Sequence, residues 1–426
     1  MRLVDKLRRI SAPAPAPASA APARAAGGPN AGPNAEPNAE PGPDLPGERI
    51  EAQDGVYRIH RIELPLTHVH GDRSLGAMAE ARLGRLAGIA RDPTLIGLDP
   101  RRCLYFDTET TSLGGGVGTW VFLLGAGWFE GDRFVVEQFF LEDVTGERAL
   151  LEAVNARFRQ FEHVVSFHGK GFDAPRLGGR LIFHRMQAAL PPSHLDLCIV
   201  GRSLFRGAYA NCRLQTFERE LVRFQREDDL PGADCPVAFF DHLQGESGRI
   251  PRVFEHNFLD VLTLPAVAAQ FADAIADPQD PVLQSNLGVY YESVGRDREA
   301  RDHYTRALEG LRAGRHRLLP RTLERLALLE RRAGRHAESA CLLIERTRTH
   351  PDAFQPLEDL AKYYEHRARD LVSAEATVLD ARSRLITGKI QLDTTARRRC
   401  LEALEHRLAR LRRRQHHQPG TFQAEA

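Results

Sequence analysis

The sequence predicts a mixed α/β domain followed by an all-α domain of helical repeats, with a disordered tract ahead of both. Three observations predict this fold class. A tract rich in Pro, Ala, Gly and Asn fills most of residues 1–48, strand and helix patterns alternate over 49–276, and helix pairs with an internal repeat fill 281–415. The polar residues 416–426 predict a disordered tail.

The N-terminal tract is most extreme over residues 11–46, in strings such as APAPAPASAAPARAAGG. A segment of this composition buries too little apolar surface to offset the entropy lost on ordering. We therefore expect residues 1–48 to form a disordered tether.

The α/β domain is predicted from short apolar runs and helical periodicity. Strands are expected at 102–107, 118–129, 133–140 and 163–167, and the Glu130-Gly131-Asp132 turn predicts a hairpin between the second and third. Apolar residues at 150, 151, 154, 158 and 161 follow a helical period and predict a helix over 147–161. Further helices are expected at 174–186, 194–205, 212–222 and 256–275.

The C-terminal domain contains a repeated pattern of small and large residues. The first unit contains Leu287, Gly288, Tyr291, Gly295, Ala300, Tyr304 and Ala307, at tetratricopeptide spacing. A second unit begins 39 residues later at Leu326, and a third begins 34 residues after that at Leu360. The tetratricopeptide period is about 34 residues. We therefore expect tetratricopeptide-like repeats, with a plain helical bundle as the alternative.

A final helix is predicted over 394–415, with Leu401, Leu404, Leu408 and Leu411 on one face. An amphipathic helix at this position is typical of the cap that ends a stack of repeats. Its arginine clusters at 397–399 and 412–414 indicate either a nucleic-acid contact or a solvated charged face.

Composition limits the class of protein. The 426 residues have a net charge of +1, and the charge is uneven: residues 281–426 hold 28 Lys and Arg against 20 Asp and Glu, hence +8, which leaves −7 for the rest. The chain has no run of 18 apolar residues and no apolar stretch behind its charged N-terminus, so we expect neither a membrane span nor a secretory signal. Six scattered cysteines without a Cys-x-x-Cys pair argue against a zinc site or a disulfide framework and agree with a reducing compartment. These features predict a cytoplasmic protein.

A pair of carboxylates supplies the first chemical signal. Asp107 and Glu109 follow the apolar run 103–106 in the string FDTETTSLGGG. Side chains two apart on a strand point to the same face, so the two carboxylates lie side by side. Like charges in a partly buried site repel unless they are protonated or bound to a cation. The pair therefore indicates a hard divalent ion, Mg²⁺ or Mn²⁺, or else two solvated acids at a strand end.

Two further acids occur in similar settings. Asp173 follows the predicted strand 163–167 in FHGKGFDAPRL, where an Asp before Ala-Pro is also a natural helix N-cap. Asp260 lies four residues after His256 on a predicted helix, so the two share a face, as ordinary surface pairs also do.

These acidic motifs, in this order, resemble those of the DEDD exonuclease superfamily, which has a ribonuclease-H-like fold. The resemblance is closest to the YprB-type ribonuclease-H-like domain group and spans about residues 95–275. It rests on the strings FDTETTSLGGGVGTWVFLLG, VVEQFFLED, FHGKGFDAPRL, HLDL, CRLQTFERELV, REDDLPG and FEHNFLDVLTL.

The resemblance implies a metal-dependent nuclease, a 3′→5′ exonuclease that cleaves phosphodiester bonds of DNA or RNA with two Mg²⁺ or Mn²⁺ ions. It implies that Asp107 bridges both ions, that Glu109 and Asp260 bind the first ion, and that Asp173 binds the second. Two ions about 4 Å apart activate the attacking water and stabilise the leaving oxygen.

His256 departs from the superfamily pattern. Related enzymes carry Tyr-x3-Asp or His-x4-Asp at the last motif, whereas this chain places a histidine at the tyrosine position and Glu255 at the usual histidine position. We expect His256 to orient or deprotonate the attacking water, or to be a structural residue of the helix start. Asp228 and Asp229 are expected to be structural.

Three weaker signals lie near the first two motifs: the glycines 114–116, His168 and Lys170. Each has a binding interpretation, as a close approach to substrate or a phosphate contact, and an ordinary structural one. Two rival functions stay open: a non-catalytic scaffold that binds nucleic acid or a protein partner through the repeats, and an endonuclease on the same fold.

Overall fold

The computed structural model describes residues 45–112 and 118–417. Within them the chain forms two compact units. The first runs to Arg202 and resumes over Asn211–Asp277, and the second comprises Ser203–Ala210 and the chain from Pro278 onwards. The predicted tether therefore lies almost entirely outside the described residues, as does most of the predicted tail.

The first unit is built on a mixed sheet of seven strands in the order β1-β2-β7-β6-β5-β8-β9, beside a separate two-stranded pair, β3 and β4. Strands β5, β8 and β9 run parallel to one another, and the other neighbours in the large sheet are antiparallel. The strands are β1 Glu48–Ala52, β2 Gly55–Pro65, β3 Val69–His70, β4 Arg73–Ser74, β5 Cys103–Thr110, β6 Val121–Glu130, β7 Arg133–Phe140, β8 His163–Ser166 and β9 Ser193–Asp196.

Helices flank this sheet and make up the second unit. In chain order the α-helices are α1 Leu75–Ala79, α2 Leu86–Ala90, α3 Glu147–Phe158, α4 Asp173–Phe183, α5 Leu197–Phe205, α6 Leu214–Phe217, α7 Cys235–His242, α8 Ile250–Ala276, α9 Pro281–Ser293, α10 Asp297–Ala313, α11 Leu319–Arg332, α12 His336–Thr349, α13 Gln355–Tyr363, α14 Leu371–Ile386 and α15 Thr394–His416. A mixed sheet flanked by helices, followed by many helices, is the predicted fold class, which is confirmed.

Several elements differ from the sequence prediction. Strand β5 continues past Asp107 to Thr110, so the carboxylate pair lies within the strand rather than at its end. The helix predicted over 194–205 begins instead as the short buried strand β9. The β6–β7 hairpin forms as predicted, and Gly131 in its turn has a φ of +57°, a conformation that glycine adopts without a steric penalty.

Helix α8 packs against strands β5, β6 and β7 and carries the last acidic motif to the sheet. Gly125 in β6 makes this approach possible: a Cβ atom there would lie 2.2 Å from Asn257 Oδ1 and 2.7 Å from Val261 Cγ2. A side chain at position 125 would therefore force the helix away from β5 and from the carboxylates that this strand carries.

Within the described residues, α8 is the one helix long and apolar enough to cross a membrane by length and composition. Most of its apolar stretch is buried inside the protein, and a buried core helix passes the same test. The composition of α8 is therefore accounted for by its place against the sheet.

The second unit consists of successive helix pairs, α9 with α10, α11 with α12, and α13 with α14, followed by α15. Gly288 lies against the Tyr304 ring, where a Cβ atom would lie 2.5 Å from the ring carbons, and Ala300 and Ala307 are fully buried on the second helix of that pair. The small and large residues of the sequence pattern thus occupy the contact between paired helices. The tetratricopeptide assignment itself, like the exact domain boundaries, stays a prediction.

Candidate metal centre

Strand β5 places Asp107 and Glu109 at the middle of the large sheet, between antiparallel β6 and parallel β8. Asp107 is half-buried, and Glu109 is buried at 8% exposure. The pairing with β6 shifts register between Glu109 and Thr110, and such an irregularity re-aims the side chains beside it. The predicted side-by-side pair is therefore present inside the strand.

Helix α8 brings His256 and Asp260 to this pair from the facing layer. One oxygen from each of Asp107, Glu109 and Asp260 lies within 4.8 Å of the others. His256 Nε2 lies 3.9 Å from Glu109 Oε1 and 3.6 Å from Asp260 Oδ2. Glu255, at the usual histidine position, is exposed. The histidine at the tyrosine position is thus the one that reaches the carboxylates.

Asp173 is the first residue of α4 and is 3% exposed. The predicted capping role is wrong, because Phe172 occupies the N-cap position. The Asp173 carboxylate instead accepts a hydrogen bond from the Thr108 hydroxyl, next to the acidic pair on β5. All five residues predicted for the site therefore converge on one region of the first unit.

Burial and mutual repulsion raise the pKa values of these acids. Burial raises the pKa of Asp107 well above its usual range, and the charges of Asp260, Asp173 and Glu109 add to the effect. Burial also raises the pKa of Glu109 to about 8, against the opposing charge of His256, and that of Asp173 to about 6, against its hydrogen bond from Thr108. A cation bound among these carboxylates would favour their ionised forms.

An amide relay holds the central carboxylate in place. Asn257 Nδ2 donates to Asp107 Oδ2 at 3.2 Å, while Asn257 Oδ1 accepts from Gln138 Nε2 at 3.0 Å. Both amide residues are fully buried. Sequence reasoning missed this pair, although Asn257 lies in the same motif as His256 and Asp260.

Arg226 is a buried cation beside the site that the sequence did not single out. Its guanidinium donates to Asp260 Oδ1, to Glu218 Oε2 at 2.8 Å and to Asp229 Oδ2 at 3.2 Å. One oxygen of Asp260 is thus held by Arg226, and the other, Oδ2, faces His256. The sequence signal that could have pointed to Arg226 is the string REDDLPG, which contains both Arg226 and Asp229.

Asp229 contacts the imidazole directly, so the structural role predicted for it is incomplete. Its Oδ1 lies 2.8 Å from His256 Nδ1, which leaves Nε2 to face Glu109 and Asp260. Burial lowers the pKa of His256, but the charges of Asp260, Glu109 and Asp229 outweigh burial and raise it above 6.5. Asp228, by contrast, is largely exposed and pairs with Arg252.

The described residues give no evidence that the three weaker sequence signals belong to this site. The glycines 114–116 lie outside the described residues. His168 is exposed and has a φ of +68°, in a loop whose amides at 168 and 170 donate to the Asp196 carboxylate. The Lys170 ammonium forms an ion pair with Asp92, at 3.2 Å from Oδ2.

The donor set fits hard divalent ions. Carboxylate oxygens are the ligands that Mg²⁺ and Mn²⁺ prefer, and the four acids provide them in a buried cluster whose charge is poorly compensated. Cations of this class would lower the pKa values that burial and repulsion raise.

Comparison with known proteins agrees with this fold. Residues 104–272 match a family model described as RNase_H superfamily. This segment therefore carries a ribonuclease-H-superfamily domain, a class that points to a nuclease, to nucleic acid as the bound partner and to divalent metals as the usual cofactors.

The chain is also 27% identical over 346 residues to the uncharacterized protein YprB of Bacillus subtilis, a match that covers 77% of this chain and 82% of YprB. The chain is thus a homologue of YprB. Among solved structures, it matches the family B DNA polymerase of Pyrobaculum calidifontis at 15% identity and a TM-score of 0.32, over 56% of this chain and 29% of the polymerase.

Proposed function

We propose that this protein is a metal-dependent nuclease that hydrolyses phosphodiester bonds of nucleic acid by a two-metal-ion mechanism, acting as a 3′→5′ exonuclease. The observation that supports this most is the convergence of Asp107, Glu109, Asp173 and Asp260 in one buried cluster. Acids in such a cluster repel one another unless cations are bound, so the arrangement is costly for folding alone.

In this proposal the four acids hold two Mg²⁺ or Mn²⁺ ions. The ions supply an activated water and stabilise the leaving oxygen. Asp107 would bind both ions, because its carboxylate lies near those of Glu109 and Asp260 and also interacts with the charge of Asp173. Asp260 binds through Oδ2, because Arg226 holds Oδ1. Arg226 and Asn257 are positioning residues that fix the two carboxylates to which they donate.

His256 is proposed to accept the proton of the attacking water at Nε2. Its other nitrogen, Nδ1, donates to Asp229, so the ring orientation and the tautomer are fixed with Nε2 toward the acids. A carboxylate on the far side of the ring also stabilises the imidazolium that forms when the proton is taken up, as Asp does in the serine hydrolases.

Cleavage assays of the full chain test the assignment. The isosteric variant Asp107→Asn removes the shared ligand and is expected to slow Mg²⁺- or Mn²⁺-dependent cleavage of a labelled oligonucleotide by at least about a thousandfold, since loss of metal catalysis costs several kcal/mol. Asp228→Asn is the matched control, because Asp228 is an exposed acid near the same loop. Unchanged cleavage by Asp107→Asn would rule out the proposed site.

Matched single-stranded DNA and RNA substrates, blocked at the 5′ or the 3′ end, decide the finer points. A 3′→5′ exonuclease is stopped by the 3′ block and releases mononucleotides. Cleavage that ignores both blocks identifies an endonuclease, and no cleavage of any substrate in either metal supports the scaffold alternative.

We further propose that the helical unit adds a contact surface for nucleic acid or a protein partner, and that the protein acts in the cytoplasm. The support for the location is that the six cysteines are scattered along the sequence without a Cys-x-x-Cys pair.

A further inference from the structure

A second group of metal ligands adjoins the carboxylate cluster. One atom each of Glu109, Cys235 and His256 lies within 4.8 Å of the others, and all three residues are buried. Cys235 is the first residue of helix α7 and is completely buried, so its thiol is placed by the fold rather than by chance surface contact.

The donor chemistry of this group differs from that of the four acids. A thiolate and an imidazole beside one carboxylate favour Zn²⁺ and similar borderline ions, whereas Mg²⁺ avoids sulfur. Neighbouring ligand atoms of tetrahedral zinc lie roughly 3.3–3.8 Å apart, given bonds of about 2.0–2.3 Å. The 3.9 Å from His256 Nε2 to Glu109 Oε1 is close to that separation.

The imidazole is already oriented in the way that zinc ligands require. Its Nδ1 lies 2.8 Å from Asp229 Oδ1, and a histidine that binds zinc through one nitrogen commonly donates from the other to a carboxylate. Asp229 in turn is held by Arg226 at 3.2 Å. The supporting residues of a zinc site are therefore in place around His256.

In the metal-free protein the Cys235 thiol is protonated. Burial and the charge of Glu109 raise its pKa far above the usual range, and the thiol is hydrogen-bonded to Glu109. A bound zinc ion deprotonates a coordinating thiol, so binding releases this proton to solvent as the S–Zn bond forms.

We propose that Glu109, Cys235 and His256 form a binding site for Zn²⁺ or a similar borderline divalent ion, which shares Glu109 with the all-oxygen site and uses the same His256 nitrogen that is proposed above to accept the proton of water. Since both sites use Glu109, an ion at one weakens binding at the other. The site does not depend on the proposed nuclease activity, and its occupancy is measurable in a protein without any activity.

Cobalt titration of the chelator-treated full chain tests the proposal. Co²⁺ substitutes for Zn²⁺ and gives a thiolate-to-metal charge-transfer band in the near ultraviolet when sulfur is bound. The wild type is expected to develop this band at one equivalent of Co²⁺, and Zn²⁺ is expected to abolish it. Cys235→Ser should lose the band, while Cys341→Ser, which alters an exposed thiol, should keep it.

Two further variants separate the zinc site from the carboxylate site. Asp107→Asn, which alters the carboxylate site alone, should keep the band. Asp229→Asn should weaken Co²⁺ binding by roughly 10–100-fold, the usual effect of removing a carboxylate that supports a metal-binding histidine. Circular dichroism confirms that each variant is folded. A wild type without the band, a band that survives Cys235→Ser, or a band lost in Asp107→Asn would each overturn the proposal.

Discussion

Two acidic centres, one in each unit, differ in how the protein affects the pKa of the carboxyl group. Glu365 in the helical unit has a fully buried side chain that accepts hydrogen bonds from Arg407, Arg410 and Arg414. Burial raises its pKa, but the hydrogen bond and charge of Arg410 and the charge of Arg407 outweigh burial, and the pKa lies below its usual range.

Asp107 in the α/β unit shows the reverse. Burial and three neighbouring acids all raise its pKa, and the donor that faces its carboxylate is the neutral amide of Asn257. Glu365 is thus balanced by arginines of the protein. Within the acidic cluster Arg226 balances Asp260, whereas we propose that an ion from solution balances the charge at Asp107. The comparison teaches that burial alone does not mark a candidate ion site. What distinguishes the two acids is whether cationic side chains of the protein balance the buried negative charge.

The largest stability effect is expected at Glu365. Glu365→Gln leaves partly buried arginines without their anion and should cost about 2–4 kcal/mol of unfolding free energy in the helical unit. Glu375→Gln is the matched control, because Glu375 faces Arg412 on a more exposed surface, where such a pair contributes about 1 kcal/mol or less.

Two probes separate the units in this measurement, because a protein of two units need not unfold in one transition. Trp120 and Trp128 are the two tryptophans of the chain, and both lie in the α/β unit, so tryptophan fluorescence follows that unit. Far-ultraviolet circular dichroism follows the helices of both units, so a transition that it detects without a change in fluorescence belongs to the helical unit. If Glu365→Gln lowers the free energy of unfolding no more than Glu375→Gln does, the arginines around Glu365 do not stabilise the fold as proposed.

Mg²⁺ should stabilise the α/β unit and leave the helical unit unchanged. A ligand present at 100 times its dissociation constant adds about 2.7 kcal/mol to the stability of the unit that binds it. Asp107→Asn should abolish this gain. Without metal, the same variant should be more stable than the wild type, by on the order of 1 kcal/mol, because it removes the cost of burying an acid that must be either protonated or repelled by its neighbours.

This prediction is checked by denaturant titrations of both proteins with and without Mg²⁺, followed by tryptophan fluorescence. Equal stabilisation of the wild type and Asp107→Asn would place the ion elsewhere. A metal-free Asp107→Asn that is less stable than the wild type would show that the cluster is not repulsive.

Asp229 should affect catalysis through His256 without contacting substrate. Asp229→Asn keeps the shape of the side chain but removes the charge that stabilises the imidazolium, so kcat for cleavage should fall by roughly 10–100-fold with little change in KM. Asp228→Asn, one residue away and exposed, should leave both constants unchanged. A rise in KM alone would assign Asp229 a role in substrate binding instead.

The sequence predicted the parts of this site that periodicity can reveal. The two-residue spacing of Asp107 and Glu109 placed both on one face of a strand, and the four-residue spacing of His256 and Asp260 placed both on one face of a helix. It also predicted the strand Arg133–Phe140 with both of its bounds. Each of these features depends on local geometry, which short spacings report directly.

Features that depend on distant segments were missed. Gln138 reaches Asn257 across 119 residues, and Arg226 reaches Asp260 across 34. The strand β9 was read as part of a helix because a short strand buried on both sides lacks the alternation that distinguishes strands. The error at Asp173 arose because the capping pattern is local, while its partner Thr108 lies on another strand.

Over a single pH unit the expected change in stability is small, and it should have opposite signs at the two centres. In the metal-free protein the pKa of Glu109 is raised from 4.5 to about 8, so the folded state binds more protons than the unfolded state between these values. Stability of the α/β unit should therefore fall as pH rises from about 4.5 to about 8, by at most about 1.4 kcal/mol per pH unit for this group. The lowered pKa of Glu365 gives the helical unit stability that is present above 4.5 and lost as pH falls below it.

Denaturant titrations in chelator, followed by tryptophan fluorescence between about pH 6 and pH 9, measure the first slope. Glu109→Gln should flatten it, because the titrating carboxyl is gone, and saturating Mg²⁺ should flatten it in the wild type, because the bound ion keeps the carboxylates ionised in the folded state. If the stability of the wild type rises with pH, or if Glu109→Gln leaves the pH dependence unchanged, then the negative charge of the carboxylates on β5 is already balanced by cationic groups of the protein, as that of Glu365 is.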